Sequence, residues 1–205
     1  MNLIEEGPKS ASVTFILAHG AGTPMDHPWL SAVAAGIASG GHRVVRFEFP
    51  YMARRRQDGK PRGPDREDVL LETYRDAFAA CAGGRIVIGG KSMGGRMASM
   101  VADELGVAGL VCLGYPFHPT GYPERTRVAH LAGLRTPTRI VQGTRDPFGL
   151  PAEVAGYSLS ESIVLDWIDG ASHDLVPPTY RKAPLADALA GPIAKVVAFL
   201  DSLGR

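Results

Sequence analysis

A serine between two glycines follows an apolar run near the middle of the chain. Residues 86–95 read Ile-Val-Ile-Gly-Gly-Lys-Ser-Met-Gly-Gly, which places Ser92 between Gly90 and Gly94. The apolar run is typical of a buried strand, and residues 96–105 predict a helix. A Gly-x-Ser-x-Gly segment between a strand and a helix is the pattern of a nucleophile elbow. These residue types and their spacing therefore indicate nucleophilic chemistry at Ser92.

A serine hydroxyl is a weak nucleophile, so the chain must supply a base and an acid partner for that base. Asp146 follows an apolar run that ends at Gly143, and His173 follows another that ends at Trp167. Both residues occupy glycine-containing loops, and the order Ser, Asp, His is the one expected when a nucleophile elbow comes first. We therefore predict Ser92, Asp146 and His173 as the catalytic residues.

Other carboxylates remain as alternatives to Asp146. Asp146 itself could instead cap the short helix near Pro151 or hold the Asp-Pro turn. Asp166 lies inside a predicted strand, and Asp169 follows too late to occupy a separate loop before the histidine. Asp174 is expected to be a solvated or capping carboxylate.

The remaining histidines compete with His173, but their positions in the chain do not suit the role of base. His118 is kept as a candidate substrate contact in the loop that follows the strand at Leu113. His19 is expected to bond backbone groups of its own loop. The histidines that fail on position or on chain order are His27, His42, His118 and His130.

An oxyanion needs two backbone N–H donors close to the nucleophile. Met93, directly after Ser92, is the predicted first donor. The second is predicted to be Ala21, in the His-Gly-Ala-Gly loop after the first long strand. Gly20 and Gly22 flank it, let the backbone turn and are predicted to border the bound substrate.

Strand and helix patterns alternate along the chain, which predicts a doubly wound, mainly parallel sheet with helices on both faces. We expect about six strands, no large lid and a single domain over residues 1–205. The carboxyl ends of such strands share one edge, where ligands bind. The predicted strands are 13–18, 43–49, 85–89, 109–113, 138–141 and 163–167, and the principal helices are 28–39, 65–81, 96–105 and 184–203, the last interrupted at Gly191-Pro192.

Composition argues for a globular protein without nucleic-acid or membrane partners. The 205 residues are 45% hydrophobic and carry a net charge of +1, so no strong field attracts a polyanion. The first twelve residues lack a basic segment followed by an apolar core, so we expect no secretion signal and a cytoplasmic location. The two cysteines, Cys81 and Cys112, are expected to be unpaired. We expect no metal and no cofactor, and the oligomeric state is open.

The motifs around Ser92, Asp146, His173 and His19-Gly20 together resemble the α/β-hydrolase superfamily. Within it, the chain is most similar to small capless dienelactone-hydrolase-like proteins of the KANSL/Tex branch. Two departures stand out: only twelve residues precede Val13, so the leading strands of the family are expected to be missing or reduced, and residues 115–136 are too few for a lid domain. The resemblance implies a serine hydrolase of the carboxylesterase or thioesterase kind, acting on a small ester.

Three further possibilities follow from the sequence. Gly90-Lys91-Ser92 ends like a phosphate-binding P-loop, but residue 85, where that motif needs its first glycine, is arginine, so we reject nucleotide binding. A non-catalytic interaction module on a hydrolase scaffold is the alternative function. The arginine-rich segment from Tyr51 to Arg66 is predicted to be a long mobile loop, either solvated or able to attract an anionic substrate.

Overall fold

Seven strands form one sheet in the computed structural model, which describes residues 1–81, 83–180 and 182–204. The spatial order is β1-β3-β2-β4-β5-β6-β7, and every neighbouring pair is parallel except β1 with β3. The predicted doubly wound, mainly parallel sheet is therefore confirmed. The strands are β1 (Leu3–Glu6), β2 (Val13–Ala18), β3 (Arg43–Phe47), β4 (Arg85–Lys91), β5 (Gly109–Leu113), β6 (Thr138–Gly143) and β7 (Ile163–Ile168).

Helices cover both faces of the sheet. They are α1 (Pro28–Ser39), α2 (Pro50–Asp58), α3 (Glu67–Ala80), α4 (Met93–Leu105), α5 (Pro151–Val154) and α6 (Leu185–Gly204). Every residue of β2 is buried, and successive side chains of the strand enter opposite cores. Phe15 packs with residues of α1 and α6, whereas Ile16 packs with residues of α3 and α4. Burial on both faces is why the central strands read as continuous apolar runs.

The predicted break at Gly191-Pro192 is wrong, because α6 runs through both residues. Its buried face lies against α1, where Ile193 and Val197 fill the space beside Gly36 and Gly40. This packing keeps the helix continuous although Pro192 lacks an N–H to donate. Within the described residues, no helix combines the length and the apolar character needed to cross a bilayer.

Two segments near the amino-terminal half differ from expectation. Leu3–Glu6 forms the antiparallel edge strand β1, which makes the sheet seven strands rather than six. The leading part of the fold is thus reduced to a short strand. The predicted mobile loop after Tyr51 is wrong in its first half, because α2 occupies Pro50–Asp58. Proline in the first turn and Gly59 in the left-handed conformation at the end are the helix signals that the arginine run obscured.

Candidate active site

Ser92 lies at the turn between β4 and α4 in a backbone conformation that L residues rarely adopt. Its φ is 51° and its ψ is −115°. Such a conformation costs about 1–3 kcal/mol, so surrounding contacts must enforce it. The Ser92 N–H donates to Leu113 O, and Ser92 O accepts the Arg96 N–H, each at 3.0 Å. The predicted strand–turn–helix elbow is present, with α4 beginning at Met93 rather than at residue 96.

The glycines on either side of Ser92 allow β2, β4 and α4 to approach closely. A Cβ atom on Gly94 would lie 2.6 Å from His19 O, and one on Gly90 would lie 2.6 Å from Ala18 O. Both distances are too short for a carbon atom beside a carbonyl oxygen. Only glycine therefore permits this packing, which holds the serine at the sheet edge.

Asp146 and His173 meet at the same edge of the sheet. His173 Nδ1 lies 2.8 Å from Asp146 Oδ2. The buried carboxylate also accepts hydrogen bonds from Gln142 Nε2 and from the Phe148 N–H, both at 2.9 Å. Because the carboxylate accepts from the ring, Nδ1 carries the proton and Nε2 keeps a free lone pair. The imidazole is thus held in the tautomer that a general base requires.

The rival carboxylates have other partners. Asp166 lies between Arg139 and Lys195, at 3.4 and 3.2 Å. Asp169 accepts a hydrogen bond from the side chain of Thr144. The exposed Asp174 accepts the Val176 N–H at 3.1 Å within a local turn, so it is the solvated carboxylate that was one of the two expectations for it. The geometry therefore pairs Asp146, rather than its rivals, with His173.

Three contacts bring the His173 loop beside the elbow. The His173 ring packs 4.4 Å from the Phe148 ring, which borders the same cleft as Ser92. Lys91 Nζ donates to His173 O. Gly114, directly after the residue that accepts the Ser92 N–H, leaves room for the imidazole, since a Cβ there would lie 3.2 Å from His173 Nδ1. Among the described residues no hydrogen bond joins Ser92 Oγ to the ring, as is common for catalytic pairs without substrate.

The predicted oxyanion donors lie on either side of Ser92. Met93 is the first residue of α4, so its N–H has no acceptor within the helix. Ala21 borders the Ser92 cleft from the loop after β2. Tyr51 holds this loop from behind, because its hydroxyl donates to Ala21 O at 2.8 Å. Both residues thus border the cleft beside Ser92, as their predicted role requires.

His19 forms hydrogen bonds with backbone groups, as predicted. Its Nε2 accepts the Phe49 N–H at 3.0 Å, so Nδ1 carries the proton and donates to Gly20 O at 2.7 Å. Burial lowers the pKa of His19, which favours this neutral form. The ring thereby ties the end of β3 to the loop that carries Ala21.

A cleft of about 330 Å³ opens above Ser92. Its apolar wall includes Leu70, Met97, Pro116 and Phe148, and its charged wall includes Asp65, Glu67, Arg96 and Arg127. The volume is at the lower end of the range for small-molecule sites. The cleft therefore suits a short substrate.

The structure places the three predicted substrate contacts in different surroundings. A Cβ on Gly20 would lie 3.8 Å from Ser92 Cβ, so this glycine borders the nucleophile, whereas Gly22 faces open space. His118 does not line the cleft. It is buried, and its nitrogens lie 2.9 Å from Pro119 O and 3.2 Å from Glu153 Oε2. The sequence placed it correctly after β5 but could not show that the loop turns this side chain inward.

Comparison with known proteins identifies the fold family. The model of the alpha/beta hydrolase domain matches residues 11–201, which is nearly the whole chain. The chain belongs to this alpha/beta hydrolase family. Because the family assignment covers both the elbow and the Asp146 and His173 loops, it supports a hydrolase.

Solved structures of alpha/beta hydrolases share the same architecture. An alpha-beta serine hydrolase homologue from Coxiella burnetii is 21% identical, with 97% of this chain and 88% of that chain covered and a TM-score of 0.64. A serine hydrolase without lid from Xanthomonas campestris is 18% identical, with 96% of this chain and 87% of that chain covered and a TM-score of 0.66. A dienelactone hydrolase from Anabaena variabilis is 21% identical, with 96% of this chain and 88% of that chain covered and a TM-score of 0.72. At these identities the likeness shows the fold.

Lys91 has a defined environment beside the elbow. Besides the bond to His173 O, its ammonium lies 5.5 Å from the centre of the Trp29 ring. Trp29 Nε1 in turn donates to Asp174 O at 2.7 Å. Lys91 and Trp29 thus hold consecutive carbonyls of the loop that carries the imidazole.

The arginines of residues 51–66 are mostly neutralised by carboxylates. Arg56 pairs with Glu48 at 2.7 Å and with Asp26 at 2.8 Å, and Arg54 pairs with Asp65. Pro64 and Asp65, rather than an arginine of this segment, border the Ser92 cleft. The predicted attraction of an anionic substrate to this segment therefore finds no support in the geometry.

Sequence reasoning missed three residues that shape the site. Gln142 stood in the Val-Gln-Gly strand end before Asp146, and a polar side chain in a buried strand is a usable signal. Tyr51 was placed in a loop, although it directly follows a helix-starting proline. Gly114 had the weakest signal, a single glycine after β5. The site is thus supported by residues whose partners are distant in the chain.

Proposed function

We propose that this chain is a serine hydrolase that cleaves an ester or thioester of a small molecule, in the manner of a carboxylesterase or thioesterase. The observation that carries the proposal is the strained backbone of Ser92, with φ of 51°, at the floor of a cleft. Strain of this kind persists only where the surrounding structure enforces it, and it concentrates at functional sites. The His173–Asp146 pair on the neighbouring loops supplies the base that such a serine needs.

In the first half of the reaction, Ser92 Oγ attacks the carbonyl carbon of the substrate. His173 Nε2 takes the hydroxyl proton, and Asp146 stabilises the resulting imidazolium. The N–H groups of Ala21 and Met93 hold the oxyanion of the tetrahedral intermediate. Collapse of the intermediate breaks the bond to the leaving alcohol or thiol, which departs with the proton from His173. The product of this half-reaction is an acyl ester of Ser92.

In the second half, water attacks the acyl ester. His173 Nε2 takes a proton from the water as the new carbon–oxygen bond forms, and the same two N–H groups hold the oxyanion. Breaking the bond to Ser92 Oγ releases the carboxylic acid, and the proton on His173 returns to the serine. The enzyme is thereby regenerated, with hydrolysis as the net reaction.

A fluorophosphonate probe and two serine variants test the proposal. We expect the probe to label the wild type covalently and to label Ser39→Ala equally, since Ser39 lies exposed on α1. Ser92→Ala should lose both labelling and hydrolysis of p-nitrophenyl acetate, with kcat reduced by about 10³-fold or more. A folded wild type that resists the probe and hydrolyses neither oxyesters nor acyl-CoA thioesters would contradict the proposal and favour the interaction-module alternative.

Three finer expectations remain predictions from the sequence. Membership of the KANSL/Tex branch is proposed on the elbow, the His19-Gly20 loop and the absence of a lid-sized insertion between residues 115 and 136. A cytoplasmic location is likewise a prediction. A small-molecule substrate, without nucleic-acid or membrane partners, is proposed from the near-neutral net charge and the short cleft.

A further inference from the structure

Two arginines border the cleft above Ser92. Arg96 lies one helical turn beyond the serine, as its N–H bond to Ser92 O shows. Arg127 reaches the cleft from the segment between β5 and β6. Both arginine side chains therefore border the same cleft as the proposed nucleophile.

The positive charge at this wall is not fully balanced. Arg96 Nη2 lies 2.7 Å from Glu67 Oε2, but the buried Nε of Arg96 has no hydrogen-bond acceptor. Among the described residues, Arg127 forms no ion pair. Burial, and next the charge of Arg96, lower the pKa of Arg127, as expected for a cation held beside another cation. Asp65, the other carboxylate of the wall, is engaged by Arg54 and the Tyr51 N–H.

A buried polar network fixes the backbone of both arginines. The Ser99 hydroxyl donates to Arg96 O at 2.7 Å, and the Tyr115 hydroxyl donates to Arg127 O at 3.0 Å. His130 Nε2 joins the two hydroxyls, at 2.8 Å from Ser99 Oγ and 3.4 Å from Tyr115 Oη. One imidazole thus links the supports of both arginines. This arrangement preorganises the pair, which reduces the entropy lost when a ligand binds.

We propose that Arg127, together with Arg96, binds a carboxylate carried by the substrate a few bonds from the scissile carbonyl. This inference rests on the proposed hydrolase function, and it names the substrate class as monoesters or monothioesters of short dicarboxylic acids. The planar guanidinium matches a carboxylate in a two-bond fork. Arg127 supplies the uncompensated charge, and Arg96 adds a second cation at the same wall.

A carboxylate suits this wall better than a phosphate. Glu67 and Asp65 border the same cleft, so a dianion would meet more repulsion than a monoanion. The small volume of the cleft also favours a compact, planar anion over a tetrahedral one. The substrate class is therefore distinguished from phosphate-bearing esters, which serve as a comparison in the test.

The first experiment compares mono-p-nitrophenyl glutarate with its neutral methyl ester at neutral pH. We expect wild type to prefer the anionic substrate by about tenfold or more in kcat/KM, which corresponds to about 1.4 kcal/mol. Arg127→Gln should abolish the preference by raising KM for the anionic ester. Arg127→Lys should restore part of it. Arg125→Gln, an equal loss of charge at an exposed neighbouring position, should behave as wild type.

Thermal unfolding reports folding in each variant. An equal rate on both esters, unaltered by Arg127→Gln, would overturn the proposal while leaving the hydrolase function intact. Faster turnover of a phosphate-bearing ester of similar length would overturn the choice of carboxylate.

A binding measurement separates this inference from the proposed function. Ser92→Ala cannot form the acyl ester, so calorimetric titration with monomethyl glutarate measures recognition alone. We expect binding that is weakened about tenfold or more when Arg127→Gln is added and is unchanged when Arg125→Gln is added. If wild type hydrolyses no ester but this pattern holds, the hydrolase function fails and the anion site stands. Equal or absent binding in all three proteins would contradict the anion site.

Discussion

The orientation of His173 depends on a carboxylate that is itself held by buried neighbours. Gln142 donates to Asp146 Oδ2, and its carbonyl oxygen accepts the Tyr115 N–H at 2.7 Å. The amide therefore joins the acid of the proposed triad to the segment after β5. A side chain that touches neither substrate nor base thus positions the imidazole through Asp146.

Replacing Gln142 with leucine should reduce both stability and turnover. The change leaves the buried Tyr115 N–H without its acceptor and removes one donor from Asp146. We expect the free energy of unfolding in urea to fall by about 1–3 kcal/mol and kcat to fall more than KM changes. Gln57→Leu is the control, because this glutamine is exposed on α2 and should shift stability by at most about 0.5 kcal/mol. Equal effects of the two substitutions would contradict the role assigned to Gln142.

The residues proposed for chemistry could be selected from sequence, whereas those that support them could not. Ser92, Asp146 and His173 each follow a recognisable strand end, and parallel strands bring their carboxyl ends to one edge. Gln142 and Lys91 act through partners distant in the chain. Their side chains have no periodic or motif signal, because only tertiary packing decides what they contact. Lys91, for example, lies inside the elbow motif, yet nothing in the sequence indicates that it bonds His173 O.

At the scale of elements, the position of the nucleophile depends on how closely α4 approaches β2. The Gly94 position is closed to any side chain, since a Cβ would also lie 2.8 Å from both Ala18 Cβ and Ala18 O. These are atoms of a buried central strand, which cannot move without disturbing the sheet. The elbow is thus coupled through backbone contacts to β2 and to the loop after β2 that carries Ala21.

Alanine at Gly94 should therefore destabilise the protein, whereas alanine at Gly191 should not. Overpacking at Gly94 is expected to lower the free energy of unfolding by about 1–3 kcal/mol and to reduce labelling of Ser92. Gly191 lies exposed inside α6, and apart from its chain neighbours and its own helix backbone no atom lies within 4 Å of its Cβ direction. There the substitution should change the free energy of unfolding by at most about 0.5 kcal/mol, because the helix preference of alanine is opposed by the ring of Pro192. Thermal unfolding of both variants checks the prediction, and a stable, fully reactive Gly94→Ala protein would refute it.

Elements could be predicted from sequence where one signal dominated. The buried strands and α1 matched expectation because their apolar patterns are strong. Residues 51–58 were misassigned because four charged residues follow Tyr51 and Met52, and the mean hydropathy of the segment resembles that of a loop. In α2 only Tyr51 and Met52 are buried, so the helix has too narrow an apolar face to show a period. The terminal signals, Pro50 and Gly59, were the better guide.

For the molecule as a whole, the enclosed cation at Lys91 links folding to pH. Burial lowers the pKa of Lys91 to about 8, although Asp146 and Asp174 act in the opposite direction. In the unfolded chain a lysine titrates near 10.4. Between these two values the unfolded chain binds more protons than the folded protein at this site. The contribution of Lys91 to the free energy of unfolding therefore rises with pH across this window.

Lys91→Met should reduce the rise of the free energy of unfolding with pH between the folded and the unfolded pKa of this lysine. We expect urea unfolding measured from pH 7 to 10.5 to show a more positive slope for wild type than for the variant, with the two curves parallel below pH 7. Lys9→Met, which removes an exposed lysine, should keep the wild-type slope. Because wild type and Lys91→Met share every other titrating group, the difference between their curves isolates Lys91. Parallel curves for wild type and Lys91→Met above pH 8 would show that this ammonium is not buried as the structure indicates.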